Sequence, residues 1–285
     1  MLGFLHNERV VNEAFSARFV RTSASCPPLD TQRRWLALDA RGGRVLHHRA
    51  DEHAGRVLFD RDDAASVGIR LAVWDPLSAA GGGHLELPVP VLPRRPHCWN
   101  AALLCCDQNG LQDHAGGTFR VVLVGTDHEG TFACVYTSLG PAAWSEPIYT
   151  AQHPDPGGAG GGYADPMRGA VVRNAFYFLF QGRTSILKYD LATGDMSVIR
   201  LPPASHSGRS ILCTVLTTTE DGGLGFARVE GDKLCLWSME ARPNGGALAM
   251  EWTQGRVIDL RSLLPVINLL GFADGLGMIL VWTIN

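Results

Sequence analysis

The chain has 285 residues, 46% of them hydrophobic and 19% charged, and 25 Lys plus Arg against 28 Asp plus Glu leave a formal net charge of −3. Intrinsic disorder, which needs low hydrophobicity and high net charge, is excluded, and so is nucleic-acid binding driven mainly by charge. No apolar run reaches the ~18 residues of a membrane-spanning helix, so neither nucleic acid nor membrane is expected as a partner.

Glycine (33) and proline (16) together make up about 17% of the chain against an average of roughly 12%, which points to many turns and hence many short strands. In chain order, the first dozen residues are compatible with a helix, and Arg18-Phe19-Val20-Arg21 is a candidate strand. The Pro- and Ser-bearing stretch Thr22–Gln32 then separates an N-terminal segment, 1–32, from a domain spanning 33–285. From Trp35 onward, apolar segments of strand length recur. They are bounded by turn signals such as Arg41-Gly42-Gly43, Asp75-Pro76, Asp127-His128-Glu129-Gly130, Thr193-Gly194-Asp195, Asp221-Gly222-Gly223 and Glu230-Gly231-Asp232. Turns at roughly 8–12-residue spacing mark an all-β chain. One helical turn is expected at Asp259–Leu264, where Pro265 stops it.

The strands repeat in groups. Leu71-Ala72-Val73-Trp74-Asp75-Pro76-Leu77-Ser78 closes at Leu87-Pro88, and Ile186-Leu187-Lys188-Tyr189-Asp190-Leu191-Ala192-Thr193-Gly194 closes at Leu201-Pro202. Looser copies are Ala133–Ser138 with Trp144 and Leu234–Ser238 with Trp252. The aromatic positions 74, 136, 189 and 237 are 62, 53 and 48 residues apart, near the ~50-residue period of kelch blades. Each phrase is preceded by a hairpin-spaced strand and a further strand upstream. The unit therefore has four strands: inner, second, aromatic third and outer fourth. The expected fold is all-β, a kelch-like β-propeller of four-stranded antiparallel blades at about 36–90, 98–150, 168–202 and 208–258. A partial blade at 266–285 leaves it incomplete at the C-terminus. An open edge invites pairing with other chains, and Arg18–Arg21 is the candidate strand to complete the ring. The Gly-rich stretch Ala151–Asp165 is a loop between the second and third blades.

No grouping of residues carries chemistry. His47 and His48 are adjacent, so on a strand they face opposite sides and cannot ligate one ion from one face, with or without His53. The glycine run 157–162 lacks the Lys-Ser/Thr of a phosphate-binding loop. Asp127-His128-Glu129 sits where a solvated hairpin turn is expected. Cys105-Cys106 are too close to bridge without strain. Trp74, Trp237 and Trp282 are expected to fill core between blades, and Arg33-Arg34 and Arg94-Arg95 to be solvated. The seven cysteines, an odd number without a C-x-x-C pair, suit a reducing compartment, cytoplasm or nucleus. No catalytic, cofactor-binding or metal-ligating residue is assigned, and partner-binding residues are not nominated.

These residues resemble a known family. Leu71–Ser78 with Leu85-Glu86-Leu87-Pro88-Val89-Pro90 is similar to the "LVWDPLTG…LPVP" segment of plant F-box proteins, especially the large grass set. Trp99–Cys105, Phe119–Asp127, Val135–Ser138 with Ala143-Trp144-Ser145, Tyr177–Leu179 and Glu220–Phe226 continue the resemblance in order and spacing. Met1-Leu2-Gly3-Phe4-Leu5-His6-Asn7 resembles the phrase that follows the F-box in these proteins. The resemblance implies that the F-box, which binds a Skp1-type adaptor, lies upstream, and that relatives continue past Gly271–Gly275 with a further hairpin. It implies a non-enzymatic protein-binding module without cofactor, like the substrate-recognition domain of an SCF-type ubiquitin ligase receptor, with an unidentified protein substrate as partner. The alternatives are a truncated, non-functional paralogue and a propeller-fold enzyme such as a glycosidase or an oxidase.

Overall fold

Short β-branched and aromatic runs between turn residues settle into antiparallel ladders. The computed structural model describes residues 3–9, 15–21, 32–33, 35–49, 68–76, 84–96, 98–106, 118–127, 129–150, 169–180, 184–203, 214–244, 247–261, 266–273 and 277–283. All the regular elements among them are strands.

The N-terminal segment corrects the expectation of a helix. β1 (Gly3–Arg9) pairs along its whole length with β2 (Phe15–Arg21), from Gly3↔Arg21 to Arg9↔Phe15. β3 (Gln32–Arg33) adds to the other side of β2. A helix of a dozen residues is marginal in water, and here a partner strand takes up the backbone groups instead. Arg18–Arg21 is thus a strand, and its neighbours are β1 and β3.

Four larger sheets follow. The first is β4 (Trp35–Arg41), β5 (Arg44–Arg49), β6 (Leu71–Trp74) and β7 (His84–Glu86), in that spatial order. The second is β8 (Cys98–Cys106), β9 (Thr118–Thr126), β10 (Thr131–Thr137) and β11 (Ala143–Trp144), with β12 (Ile148–Thr150) also paired to β10. The third is β13 (Ala170–Val172), β14 (Ala175–Leu179), β15 (Ser185–Asp190) and β16 (Met196–Arg200). The fourth is β17 (Thr214–Thr218), β18 (Leu224–Glu230), β19 (Lys233–Asn244) and β20 (Ala247–Asp259). A two-stranded sheet, β21 (Val266–Ala273) with β22 (Met278–Thr283), ends the described chain. Trp74, Tyr136, Tyr189 and Trp237 each lie on the third strand of their sheet. Asp259 closes β20 rather than opening a helical turn: its carboxylate accepts the Arg261 amide at 2.9 Å, an Asx-type turn. Residues 262–264 lie outside the described residues.

The chain divides into two compact units, one of residues 1–97, 101–127 and 133–147, the other of residues 98–100, 128–132 and 148–285. In the second unit, both faces of the fourth sheet are covered. Leu216 and Phe226 pack with Leu179, Ile186 and Leu201 of the third sheet and its exit. Their neighbours Val215 and Ala227 point the other way, onto Leu260 and Leu269. Alternate residues of a strand face opposite sides, so a sheet covered on both faces is buried at nearly every position of its inner strands. This is why β18 is buried from Leu224 to Val229 while β16, an outer strand, is only half-buried.

A candidate partner-binding segment

Residues 87–96, after β7, carry Pro88, Pro90, Pro93 and Pro96. Proline fixes φ and brings no amide donor, so the segment can stay outside any ladder with fewer N–H groups to satisfy. It is held at three points instead. The Leu87 amide donates to the Leu71 carbonyl (2.9 Å). Trp144 Nε1 donates to the Pro88 carbonyl (2.6 Å). Arg94 pairs with Asp127 at 3.8 Å, the carboxylate side chain being fully buried. Leu87 and Pro90 turn inward. Val89 rests above Gly68, where a Cβ would come within 2.6 Å of its Cγ1. Leu85 and Val89 remain half exposed and Val91 is 88% exposed. Single exposed apolar side chains are ordinary. Val89 and Val91, however, sit on an anchored, proline-stiffened segment that is ordered before a partner arrives, which lowers the entropic cost of binding.

The third sheet ends in the same way, at Leu201-Pro202-Pro203. The Leu201 amide donates to the Thr184 carbonyl (2.8 Å), and Trp252 Nε1 donates to the Arg200 carbonyl (2.9 Å). Arg228, only 2% exposed, adds a further clamp. Its Nη1 donates to the Pro202 carbonyl (2.8 Å), its Nη2 to Pro203 (3.3 Å) and its Nε to Glu230 (2.7 Å), and the guanidinium lies over the rings of Phe226 and Trp237. In both places a Trp on one sheet's outer strand ties down the exit of the preceding sheet.

Comparison with known proteins places this architecture. A family model described as "F-box protein AT5G49610-like, beta-propeller" matches residues 48–270. The chain belongs to this family. A search of curated proteins finds no match. Among solved structures, one assigned as a 6-phosphogluconolactonase from Bacteroides uniformis ATCC 8492 is similar over 97% of this chain and 79% of its own, at 9% identity and a TM-score of 0.42.

In this F-box-family propeller the residues singled out by sequence take defined places. Asp127 is not a solvated turn residue, nor is Arg94 a free surface charge: each is the other's ion-pair partner. Glu129 is exposed, and His128 lies outside the described residues. His47 and His48 do face opposite sides of β5, with His47 fully buried. Burial, with the charge of His84 adding to it, pushes the His47 pKa down to about 3 and keeps the ring neutral. Trp74 is buried, and Trp237 stacks on Phe226 at 5.7 Å. Cys105, Cys134 and Cys235 are thiols rather than half-cystines, and Cys105 Sγ donates to the Arg41 carbonyl at 3.3 Å. His53, the run 157–162 and the side chains of Arg33, Arg34, Cys106 and Trp282 lie outside the described residues. Sequence reasoning missed Asp39 and Arg228. Asp39, buried on β4, accepts the Leu103 amide of β8 (3.0 Å) and Arg41 Nε (3.0 Å). The signal was available in both cases: opposite charges two residues apart at the end of an apolar strand, Asp39 with Arg41 and Arg228 with Glu230.

Proposed function

We propose that the chain is a non-enzymatic protein-binding module, the substrate-recognition part of an SCF-type ubiquitin ligase receptor, working in the cytoplasm or nucleus. The anchored segment 87–96, with Val91 almost wholly exposed, is the observation that carries this reading; membership of an F-box family supports it. In this role an F-box would hold the Skp1-type adaptor, and the propeller would supply only the contacts to the protein to be ubiquitylated. The buried charges have structural partners: Asp39 accepts the Leu103 amide, Asp127 pairs with Arg94, and Arg228 donates to the Pro202 carbonyl.

The test is to join the chain to an F-box module, express it in plant cells and quantify the proteome with and without proteasome inhibitor. A small set of proteins is expected to fall in abundance in an inhibitor-sensitive way. Val91→Asp is expected to prevent that fall while leaving the melting temperature unchanged. A proteome indistinguishable from that of the F-box module alone would refute the receptor reading, and a fall indifferent to Val91→Asp would refute the role of the segment.

A further inference from the structure

Four rings meet on one face of the first sheet, one from each strand: Trp35 of β4, His47 of β5, Trp74 of β6 and His84 of β7. Trp35 lies edge-on to His84 at 5.1 Å between ring centres, and Trp74 stacks on His47 at 5.6 Å. The register explains the meeting. His47 stands opposite Ala72, and Ala72 opposite Glu86; Trp74 stands opposite His84. Ala72 contributes only a methyl group between β5 and β7, so the two imidazoles approach over it to 5.2 Å between centres.

Ring packing accounts for these distances. It does not account for the ring nitrogens. His47 is fully buried, yet neither Nδ1 nor Nε2 has a hydrogen-bond partner, and the buried Nε2 of His84 has none. Buried polar atoms are nearly always paired, and imidazole nitrogens are ordinary ligands of transition metals. Two imidazoles sharing one tetrahedral ion, at metal–nitrogen distances of about 2.0–2.1 Å, have ring centres roughly 5 Å apart. We propose that His47 and His84 are the two protein ligands of a single zinc-class transition-metal ion held between β5 and β7. This is a different pair from the neighbours His47 and His48, which the pleat separates.

The surroundings fit. Trp35 and Trp74 wall the pair with apolar surface. His84 is half-buried on the outermost strand of its sheet, so an ion enters from that side. Glu86, two residues along the same face of β7, is exposed and places negative charge near His84. No third His, Cys, Asp or Glu completes a cluster among the described residues. A site with two imidazole ligands and an open position is an exchangeable one, weaker than a closed four-ligand structural zinc.

The test is calorimetric titration of the chelator-treated full chain with Zn²⁺, alongside quenching of tryptophan fluorescence by Cu²⁺, since two indoles touch the imidazoles. One Zn²⁺ per chain is expected. His84→Ala is expected to weaken binding at least tenfold and to reduce the quenching, with an unchanged melt in chelator. His47→Phe, which refills the ring volume, is the second variant and is expected to do the same. The chain holds 10 His and 7 Cys, so binding of equal affinity in His84→Ala would place the ion elsewhere and overturn the proposal, as would the absence of binding.

Discussion

Arg228 shows how much one side chain can organise. It is buried, paired with Glu230 at 2.6 Å, and its other donors go to two proline carbonyls at the exit of the third sheet. Breaking a buried pair by removing one partner strands the other charge, at a cost of about 3–5 kcal/mol. Arg228→Met is expected to lower stability by that amount in urea unfolding, and adding Glu230→Gln to recover part of it, because the carboxylate is then no longer left alone. Cys134 makes a pH prediction. Burial pushes its thiol up to about 12 from an ordinary 9.0. Above pH 9 the unfolded chain loses this proton and the native chain keeps it. The contribution is complete below pH 9 and falls as pH rises toward 12, by up to ~1.4 kcal/mol per unit. Cys235 and Tyr177 are raised as well and act in the same direction. Cys134→Ala is expected to remove one proton's share of the slope between pH 9 and 11, measured as the shift in urea midpoint.

At the scale of elements, outer strands are fastened by indole donors. Trp144 and Trp252 occupy the fourth strands of the second and fourth sheets, and each bonds to the backbone where the preceding sheet ends. Trp→Phe at either position keeps the ring and removes the donor. Each substitution is expected to cost about 0.5–1.5 kcal/mol in denaturant unfolding, and the pair to be additive because they share no partner. The β4–β5 hairpin depends on Gly42, which turns at φ +55, and a Cβ there would lie 2.7 Å from Cys105 Sγ and 2.9 Å from its Cβ. Gly42→Ala is expected to cost about 1–3 kcal/mol from backbone strain, before any crowding of the cysteine. The third-strand aromatics were legible because they recur at blade spacing with turn residues beside them. The partnership of Asp39 with Leu103, or of His47 with His84, was not. Those contacts join positions far apart in sequence: strand register within one sheet brings His47 to His84, and packing of one sheet beside the next brings Asp39 to Leu103. The N-terminal strands misled for a related reason: local pattern allowed a helix, and pairing of β1 with β2 overrode it.

For the whole molecule, the propeller was legible from composition, turn density and the repeating phrase, and these reflect a physical constraint. Sheets covered on both faces need mostly apolar residues at their inner positions, whereas outer strands and exits tolerate polar ones. The binding segment was not legible as such. Leu85–Pro90 stood out as a resemblance to relatives, but its anchoring by Trp144 and by Arg94 with Asp127 follows from the fold alone. If segment 87–96 receives a protein partner, position 91 lies against it. The most direct measurement places a photocrosslinking amino acid at position 91 and, as a control, at position 257, an exposed valine on β20, in chain supplied to plant extract. A discrete adduct is expected from position 91 that position 257 does not give. The same adducts from both positions, or none from position 91, would contradict it.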